Sequence, residues 1–276
     1  MTPQKTACAI HDISCVGRCS LTVALPILSA SGIETSVLPT AVLSTHTGGF
    51  TDFTYRDLTE DITPIKNHWR SLDLHFDAMY SGFLGSFAQI ELVRNLFREF
   101  GGYIMVDPVM ADNGELYSIY TPEMAQGMAE LCSEADIILP NMTEAAFMLN
   151  EAYTPGPYTH SYVEQMLQKL QTLGAKSVVI TGVYFTDDEI GAAALDKNGI
   201  HYAFSPKVDG YFHGTGDIFG STLLGALLND KPLPEALQIA TSYVHECIRL
   251  STLQNKQARY GVPFEKAIPY LLTKLY

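Results

Sequence analysis

The sequence lacks long apolar runs and a surplus of basic residues, and these absences exclude several classes of protein. Nowhere do about eighteen apolar residues follow one another, so no membrane span is predicted. The net charge of −13 at pH 7 argues against nucleic acid or an anionic membrane as the main partner, because both require a cationic face. The N-terminal stretch "MTPQKTACAIHDISC" has no long apolar segment, so no signal peptide is predicted. We therefore expect a soluble, cytoplasmic protein.

Several catalytic and metal-binding patterns are also missing. The five cysteines are odd in number and include no Cys-x-x-Cys, which favours free thiols in a reducing compartment. The eight histidines show no metal-ligand spacing, and neither the Gly-x-Ser-x-Gly elbow of many hydrolases nor a Walker-type phosphate loop occurs. In "GTGDIFG" the last glycine comes one residue too late for the dinucleotide fingerprint. A Rossmann dehydrogenase is therefore poorly supported.

What the chain does contain is a regular alternation of short apolar runs and helical patterns. Hydrophobic residues make up 47% of the 276 residues and charged residues 17%, which indicates a large core. The pair Asn198-Gly199 lies between two apolar runs and predicts a β-hairpin. No linker or repeat divides the chain, so we predict one α/β domain over residues 1–276, with a mainly parallel central sheet and helices on both faces.

Polar residues directly after the predicted strands are the first candidates for a site, because ligands of such sheets bind outside the carboxyl ends of the strands. Asp107 ends the strand-like run "YIMV", and Asp112 follows in the polar loop "ADNGELYSIYT", which could fold over a ligand. A carboxylate at this position can bind Mg²⁺ directly or through water. It can equally well bond its own loop backbone, and the residues alone leave both interpretations open.

A second strand end carries the motif "PNMTEAAFML". Asn141 and Glu144 stand one turn apart there and could both face a hydrated Mg²⁺. The structural alternative makes Thr143 the N-cap of the next helix and Glu144 a favourable charge in its first turn. Thr181 ends the strand "SVVI" and could offer its hydroxyl to a phosphate, although Thr-Gly after a strand is common.

The stretch "HGTGDIFGSTLLGALL" places small residues and one carboxylate at the start of an apolar helix. Gly214 and Gly216 allow backbone conformations closed to other residues, and their N–H groups would lie at the positive end of the helix, as in an anion site. Asp217 could then accept the proton of an attacking hydroxyl. As an N-cap, Asp217 would need no flanking glycines, so the two glycines favour a functional turn.

Together these motifs resemble the vitamin B6 kinases (pyridoxal, pyridoxine and pyridoxamine kinases) of the ribokinase-like superfamily. The resemblance rests on "STHTGG", "DPVM", "PNMTEAAFML" and "KVDGYFHGTGD", which occur in the family's order along nearly the whole chain. It implies a ribokinase-like three-layer sandwich and an enzyme that phosphorylates the 5′-hydroxymethyl group of a B6 vitamer. It also implies ATP and Mg²⁺, allows K⁺ as a second cation, and suggests a homodimer that binds neither nucleic acid nor membrane.

The resemblance further implies roles for individual residues. Asp217 matches the catalytic base, and the anion hole matches Gly214, Thr215 and Gly216. The positions that bind the ATP phosphates and their cations match Asp107, Asp112, Asn141 and Glu144. Of these, Asp107, Asp112 and Glu144 match the positions that bind the metal. Further ATP contacts match Thr181, the loop residue Tyr120, and Val208 and Phe212 on the nucleotide-binding stretch. The vitamer would meet Thr47, Phe83, Asp12 and His213; relatives often have serine at the position of Asp12 and a small apolar residue at that of His213.

Other functions compete with this prediction. The nearest is a hydroxymethylpyrimidine kinase of thiamine synthesis with the same fold, but such enzymes often carry Cys after Gly-Thr-Gly, where this chain has Asp217. Sugar and nucleoside kinases usually lack "STHTGG". A non-catalytic B6-binding protein would need neither base nor metal site, and an oxidoreductase is a remote third class.

Overall fold

The computed structural model describes residues 3–253 and 258–276, in which one large sheet is covered by helices. The strands of the large sheet are β1 Thr6–Ser14, β2 Glu34–Leu43, β3 Tyr55–Asp57, β4 Ala78–Ser81, β5 Tyr103–Val106, β8 Ile137–Ile138, β9 Ser177–Val183, β10 Glu189–Asp196 and β11 Gly199–Pro206. A separate two-stranded hairpin consists of β6 Ala111–Asp112 and β7 Glu115–Leu116. The helices are α1 Leu21–Ala30, α2 Thr59–Ser71, α3 Phe87–Phe100, α4 Pro122–Ser133, α5 Met142–Met148, α6 His160–Gln171, α7 Thr215–Leu228, α8 Leu233–Leu253 and α9 Phe264–Leu275, with a short 3-10 turn at Ala258–Tyr260.

The strand order of the large sheet is β11-β10-β9-β8-β5-β4-β1-β2-β3. The neighbours from β9 to β2 are parallel, whereas β3, β10 and β11 join antiparallel at the two edges. The chain goes from β1 to β2 on one side and then continues from β4 on the other side of β1. This switch between β1 and β4 opens a crevice at the carboxyl edge, where α/β proteins bind their ligands.

The sheet separates two hydrophobic cores. On one face Ile10, Met79 and Val106 pack with the apolar sides of α3, α4, α5 and α6. On the other face Ala9, Tyr80 and Met105 pack with α1, α7, α8 and α9. Each fully buried Leu or Ile side chain contributes about 1.5–3 kcal/mol, so two such cores account for a stable three-layer sandwich. The predicted α/β fold is confirmed.

The predicted alternation of strands and helices is present, but one short strand and one helix were missed. The predicted hairpin turns at Asn198, between the end of β10 and the start of β11. Strand β3 and helix α2 were not predicted; β3 has three residues, too few to show a period of two, and α2 contains Pro64. The expected cover loop instead contains the hairpin β6–β7. Within the described ranges, no helix is both long and apolar enough to cross a membrane, and the five cysteines are free.

Candidate active site

The turn at residues 214–216, which we call the glycine turn, opens α7 in a conformation that favours glycine. Gly214 has φ 77° and is the N-cap of α7. A β-carbon on Gly214 would lie 2.0 Å from the carbonyl oxygen of Arg18, so the loop after β1 packs directly on this turn. Gly216 differs from the prediction: it has no left-handed φ, and a β-carbon there would meet no other group of the described chain within 4 Å. Gly216 therefore leaves open space at the start of the helix, whereas Gly214 supplies the unusual backbone.

Asp217 lies in the first turn of α7 but is not its cap, because Gly214 holds that position. The Asp217 carboxylate instead accepts a hydrogen bond from the backbone N–H of Ser20, a residue held at φ 55° at the start of α1. The Asp217 side chain is 14% exposed, so it can be reached from the crevice. The remaining side chain of the turn, Thr215, donates its hydroxyl proton to the carbonyl oxygen of Phe212 at 3.2 Å.

The environment of Asp217 suits a base that works near neutral pH. Burial raises the pKa of Asp217 from 3.8 to about 7, with a further rise from the negative charge of Asp12. The N–H group of Ser20 acts in the opposite direction, because it favours the ionised carboxylate. A carboxylate with such a pKa can accept a proton at neutral pH more readily than an ordinary aspartate, as general-base catalysis requires.

Asp107 is the second carboxylate at this edge of the sheet. It follows β5, is 8% exposed, and donates its backbone N–H to the carbonyl oxygen of Ser81 at 2.9 Å. Burial raises its pKa well above the ordinary range, and the charges of Glu144 and Asp217 add to the rise. The carboxylate of Asp107 is therefore repelled by those of Glu144 and Asp217 in a site of low dielectric, and a bound cation would relieve this repulsion.

Asp112 connects the hairpin β6–β7 to the stretch before the glycine turn. The hydroxyl of Tyr211 donates a hydrogen bond of 2.7 Å to the Asp112 carboxylate. The same carboxylate accepts the backbone N–H of Asn113 at 2.9 Å, as the loop interpretation of an aspartate predicts. Asp112 is only partly buried and so can also reach a ligand at the mouth of the site.

Asn141 and Glu144 form a capping box, so the structural alternative holds with a different N-cap. The N-cap of α5 is Asn141 and not Thr143, because the Asn141 side chain accepts the N–H groups of Thr143 and Glu144. The Thr143 hydroxyl instead accepts the N–H of Gly114 in the β6–β7 turn at 3.1 Å. Both carboxylate oxygens of Glu144 accept backbone N–H groups, those of Met110 and Asn141, at 2.9 Å each.

These contacts decide which carboxylates fit a metal ion. Among the described residues, no group of three or more His, Cys, Asp or Glu side chains is arranged to hold one, so Asp107, Asp112 and Glu144 are not assembled as three direct ligands. Glu144 is the poorest fit, since it is buried and both of its oxygens accept backbone N–H groups. Both oxygens of Asp112 are engaged as well, by Asn113 and Tyr211, but Asp112 is partly exposed. Asp107 and Asp112 suit Mg²⁺, which keeps several waters and needs only one or two carboxylates.

The other predicted nucleotide residues lie along the same edge. Thr181 pairs with Asn141 through an isolated parallel bridge, so the ends of β8 and β9 meet there. Val208 and Phe212 are half-buried on the chain that leads to the glycine turn. Tyr120 is not a free cover residue: it is 7% exposed and its hydroxyl donates to the carbonyl oxygen of Leu84 at 2.8 Å. Its role in covering ATP stays a prediction.

The residues predicted to meet the vitamer lie around the end of β1. Asp12 is 5% exposed and accepts the hydroxyl of Ser14 at 3.1 Å; burial raises its pKa. Thr47 is exposed in the loop after β2. In that loop the ring of His46 lies 4.8 Å from the ring of His213, which joins the loop to the glycine turn. Phe83 is 8% exposed at the end of β4, with its ring 6.2 Å from that of Tyr120.

Sequence patterns did not identify the loop over the glycine turn. In the segment 17–20, Arg18 contacts the turn and Ser20 contacts the carboxylate of Asp217. Arg18 is fixed by a salt bridge of 2.8 Å to Glu265 in α9. The glycine and serine of this segment were the available signal, but contacts between such distant parts of the chain carry no local pattern.

The chain is similar to known kinases. A model of the phosphomethylpyrimidine kinase family matches residues 28–262. A crystal structure of a candidate phosphomethylpyrimidine kinase from Bacteroides thetaiotaomicron, in an orthorhombic form with pyridoxal, has 36% identity, covers 98% of this chain and 96% of that one, and gives a TM-score of 0.92. The pyridoxal kinase from Lactobacillus plantarum has 32% identity, covers 98% of each chain and gives a TM-score of 0.91.

Relatives from thiamine biosynthesis also match. The multifunctional thiamine biosynthesis protein ThiED of Corynebacterium efficiens is 28% identical over 234 residues, which is 81% of this chain. The chain spans only 30% of the length of that relative. The comparisons thus include both pyridoxal kinases and proteins of thiamine synthesis.

Proposed function

The chain belongs to the phosphomethylpyrimidine kinase family and is a phosphotransferase of the pyridoxal-kinase type with the ribokinase-like fold; from that premise we propose that it phosphorylates the 5′-hydroxymethyl group of a B6 vitamer with ATP. The single observation that carries this proposal is the position of Asp217, a partly buried carboxylate with a pKa of about 7 beside the left-handed Gly214 at the start of α7. This arrangement supports a base and an anion site side by side.

In the proposed reaction Asp217 accepts the proton of the 5′-hydroxyl while the hydroxyl oxygen attacks the γ-phosphorus of ATP. The bond from that phosphorus to the β–γ bridging oxygen breaks, and ADP leaves. The backbone N–H groups at the start of α7, from Gly214 to Gly216, are donors for the transferring phosphoryl oxygens, and the positive end of the helix dipole favours the charge there. The open space at Gly216 gives the phosphate room to approach the backbone.

The nucleotide would lie along the ends of β5, β8 and β9, with Thr181 as a phosphate contact and Val208 and Phe212 beside the base and ribose. Asp107 and Asp112 would hold hydrated Mg²⁺. Glu144 and Asn141 would hold in place the loop that carries these two aspartates, through their hydrogen bonds to its backbone. When bound, Mg²⁺ would neutralise charge on the phosphate oxygens. A requirement for K⁺ and a homodimeric assembly remain predictions of the resemblance.

The vitamer would lie at the switch point between β1 and β4. Thr47 and His213 would contact its polar substituents, and Phe83 would pack near the ring. Asp12 replaces the serine of many relatives, and a carboxylate there suits a protonated pyridine nitrogen, as in other proteins that bind this ring. This charge favours a B6 vitamer over the less basic hydroxymethylpyrimidine.

The second candidate is a hydroxymethylpyrimidine kinase, favoured by the family's description and by the relative from thiamine synthesis. A non-catalytic vitamer-binding protein is less well supported, because binding alone would not need a base of raised pKa beside an anion site.

These functions are separated by one set of assays. ATP consumption is measured with pyridoxal, pyridoxine, pyridoxamine and hydroxymethylpyrimidine, each alone at saturating concentration. The proposal expects turnover with at least one B6 vitamer at a higher kcat/KM than with the pyrimidine. Turnover with the pyrimidine alone would establish the second candidate, and binding of pyridoxal without turnover of any of the four would establish the third.

A further inference from the structure

A buried histidine lies beneath Asp217 and has no role in the reaction described above. His11, on β1, is fully buried, and its Nδ1 atom is 4.0 Å from Oδ1 of Asp217. Neither ring nitrogen of His11 has a hydrogen-bond partner among the described residues. Buried polar atoms are almost always paired, so an unpaired imidazole next to a catalytic carboxylate requires an explanation.

The surrounding backbone is shaped to accommodate this ring. A β-carbon on Gly82, just after β4, would lie 2.3 Å from Nδ1 of His11. The ring of Tyr80 packs against that of His11 in a T-shaped arrangement, with centroids 4.4 Å apart. A β-carbon on Gly220 of α7 would in turn lie 2.3 Å from the hydroxyl oxygen of Tyr80. Two glycines thus leave the space in which His11 and Tyr80 stand under the first turn of α7.

The charge state of His11 follows from its surroundings. Burial lowers the pKa of His11 to about 3, so the ring is neutral at pH 7 and carries one N–H group. Asp217 from α7 and Tyr80 from β4 both lie against it, and of these two only the ionised carboxylate is an obligate acceptor. Hydrogen bonds in catalytic sites are often long before the substrates bind and shorten in the complex.

We propose that His11 is a positioning residue for Asp217: its neutral ring donates the Nδ1 proton to Oδ1 of the carboxylate once the substrates fill the site, and so turns Oδ2 toward the acceptor hydroxyl. The proposal rests on the proposed function, because it assigns Asp217 the role of base. It also gives the buried N–H of His11 its missing acceptor.

The bond should affect the titration of Asp217. The N–H of Ser20 and the ring of His11 would both favour the ionised carboxylate, whereas burial and the charge of Asp12 oppose it. A relay in which the proton passes on to His11 is not expected, because a ring of pKa about 3 cannot hold a proton against a carboxylate of pKa about 7. His11 therefore acts through Asp217 and not on the substrate.

Two variants separate positioning from packing. His11→Leu fills the space without a donor, and His11→Gln keeps an N–H donor of similar reach. The pKa of Asp217 is measured by NMR of ¹³C-labelled aspartate with pyridoxal and a non-hydrolysable ATP analogue bound, with Asp217→Asn to assign its signal. We expect the pKa to rise by about one unit in His11→Leu, a tenfold change in proton affinity, and to stay within a few tenths in His11→Gln.

The pH dependence of kcat should show the same effect as the titration of Asp217. In His11→Leu the acidic limb of the kcat profile should move upward by about one pH unit, so that kcat falls about tenfold at pH 6 and much less at pH 9, with KM little changed. An unchanged Asp217 titration in a folded His11→Leu protein would overturn the proposal; His11→Met takes its place if the leucine variant does not fold. If the titration moves as expected but no vitamer is phosphorylated, the proposed function fails and the contact between His11 and Asp217 stands.

Discussion

Gly214 and Arg18 are in such close contact that no other residue fits at position 214: a β-carbon there would lie 2.0 Å from the carbonyl oxygen of Arg18. The backbone of Gly214 is also left-handed, at φ 77°. The loop after β1 and the glycine turn therefore form one unit, and the proposed anion site depends on this contact between two distant parts of the chain.

The first prediction compares the two glycines of this turn. Gly214→Ala should lower the free energy of unfolding by more than about 1–2 kcal/mol, because it adds a clash to a strained φ. Gly216→Ala should leave the free energy of unfolding nearly unchanged, since its methyl group meets no other group of the described chain. The methyl group would instead occupy the proposed phosphate position, so kcat/KM should fall by tenfold or more.

Urea unfolding and steady-state kinetics measure both effects. If the Gly216→Ala protein had wild-type stability and wild-type kcat/KM, the transferring phosphate would have to bind elsewhere.

The second prediction concerns the carboxylate that holds the loop after β5. Glu144→Gln replaces one of two acceptor oxygens by an NH₂ group that would face a backbone N–H, of Met110 or Asn141. We expect the free energy of unfolding to fall by about 1–3 kcal/mol and the KM for ATP to rise, because the hairpin β6–β7 loses its support. Glu115→Gln, an exposed change on β7 of the same hairpin, is the matched control.

Urea unfolding and the ATP dependence of turnover decide the outcome. If Glu144→Gln were as stable as Glu115→Gln and only metal affinity changed, Glu144 would be a direct ligand and the capping role would be secondary.

The third prediction uses the charge of Asp12. Because that charge raises the pKa of Asp217, Asp12→Asn should lower it and move the acidic limb of the kcat/KM profile to lower pH. The asparagine keeps an oxygen for the hydroxyl of Ser14. It loses the partner of a protonated ring nitrogen, so the preference for B6 vitamers over hydroxymethylpyrimidine should shrink. A profile and a preference both equal to those of the wild type would remove Asp12 from the substrate site.

The fourth prediction concerns stability and pH. The pKa of Asp217 is raised from 3.8 to about 7, so between these values the unfolded chain releases a proton that the folded chain keeps. Stability is therefore lost as the pH rises through this window, and the full cost of the buried charge is present above pH 7. Asp217→Asn has no charge to bury, so it should be as stable as the wild type near pH 3.5 and more stable by roughly 4 kcal/mol above pH 7.

Thermal and urea unfolding at several pH values test this difference. The exposed Asp187→Asn is the matched control. Equal stability of Asp217→Asn and wild type at every pH would mean that Asp217 titrates normally.

The sequence predicted the parts of the site that depend on local patterns. Asp217, Gly214 and Asp107 stand where a strand or turn signal placed them, because these positions follow from periodicity and from the rule that ligands bind at strand ends. The capping interpretation of this motif, left open beside the metal site, named Thr143, whereas the N-cap is Asn141; the choice between Asn141 and Thr143 depends on where the hairpin β6–β7 packs.

Two contacts of Asp217 follow from no local pattern in the sequence. Ser20 reaches the carboxylate through the fold of the loop after β1, and His11 lies under it because β1 and α7 pack together. "IHD" within a strand looks like any polar interruption of an apolar run. Long-range packing alone gives these residues their neighbours.

The central claim is that Asp217 is the base of phosphoryl transfer to a vitamer, and it is tested most directly by measuring pyridoxal phosphorylation by the wild type and by Asp217→Asn, together with pyridoxal affinity. A positioned general base is worth about 10²–10⁴-fold in rate. The account predicts that the wild type forms the phosphate ester and that Asp217→Asn binds pyridoxal with similar affinity but turns over at least about a hundredfold more slowly. Equal turnover by the two proteins would contradict it.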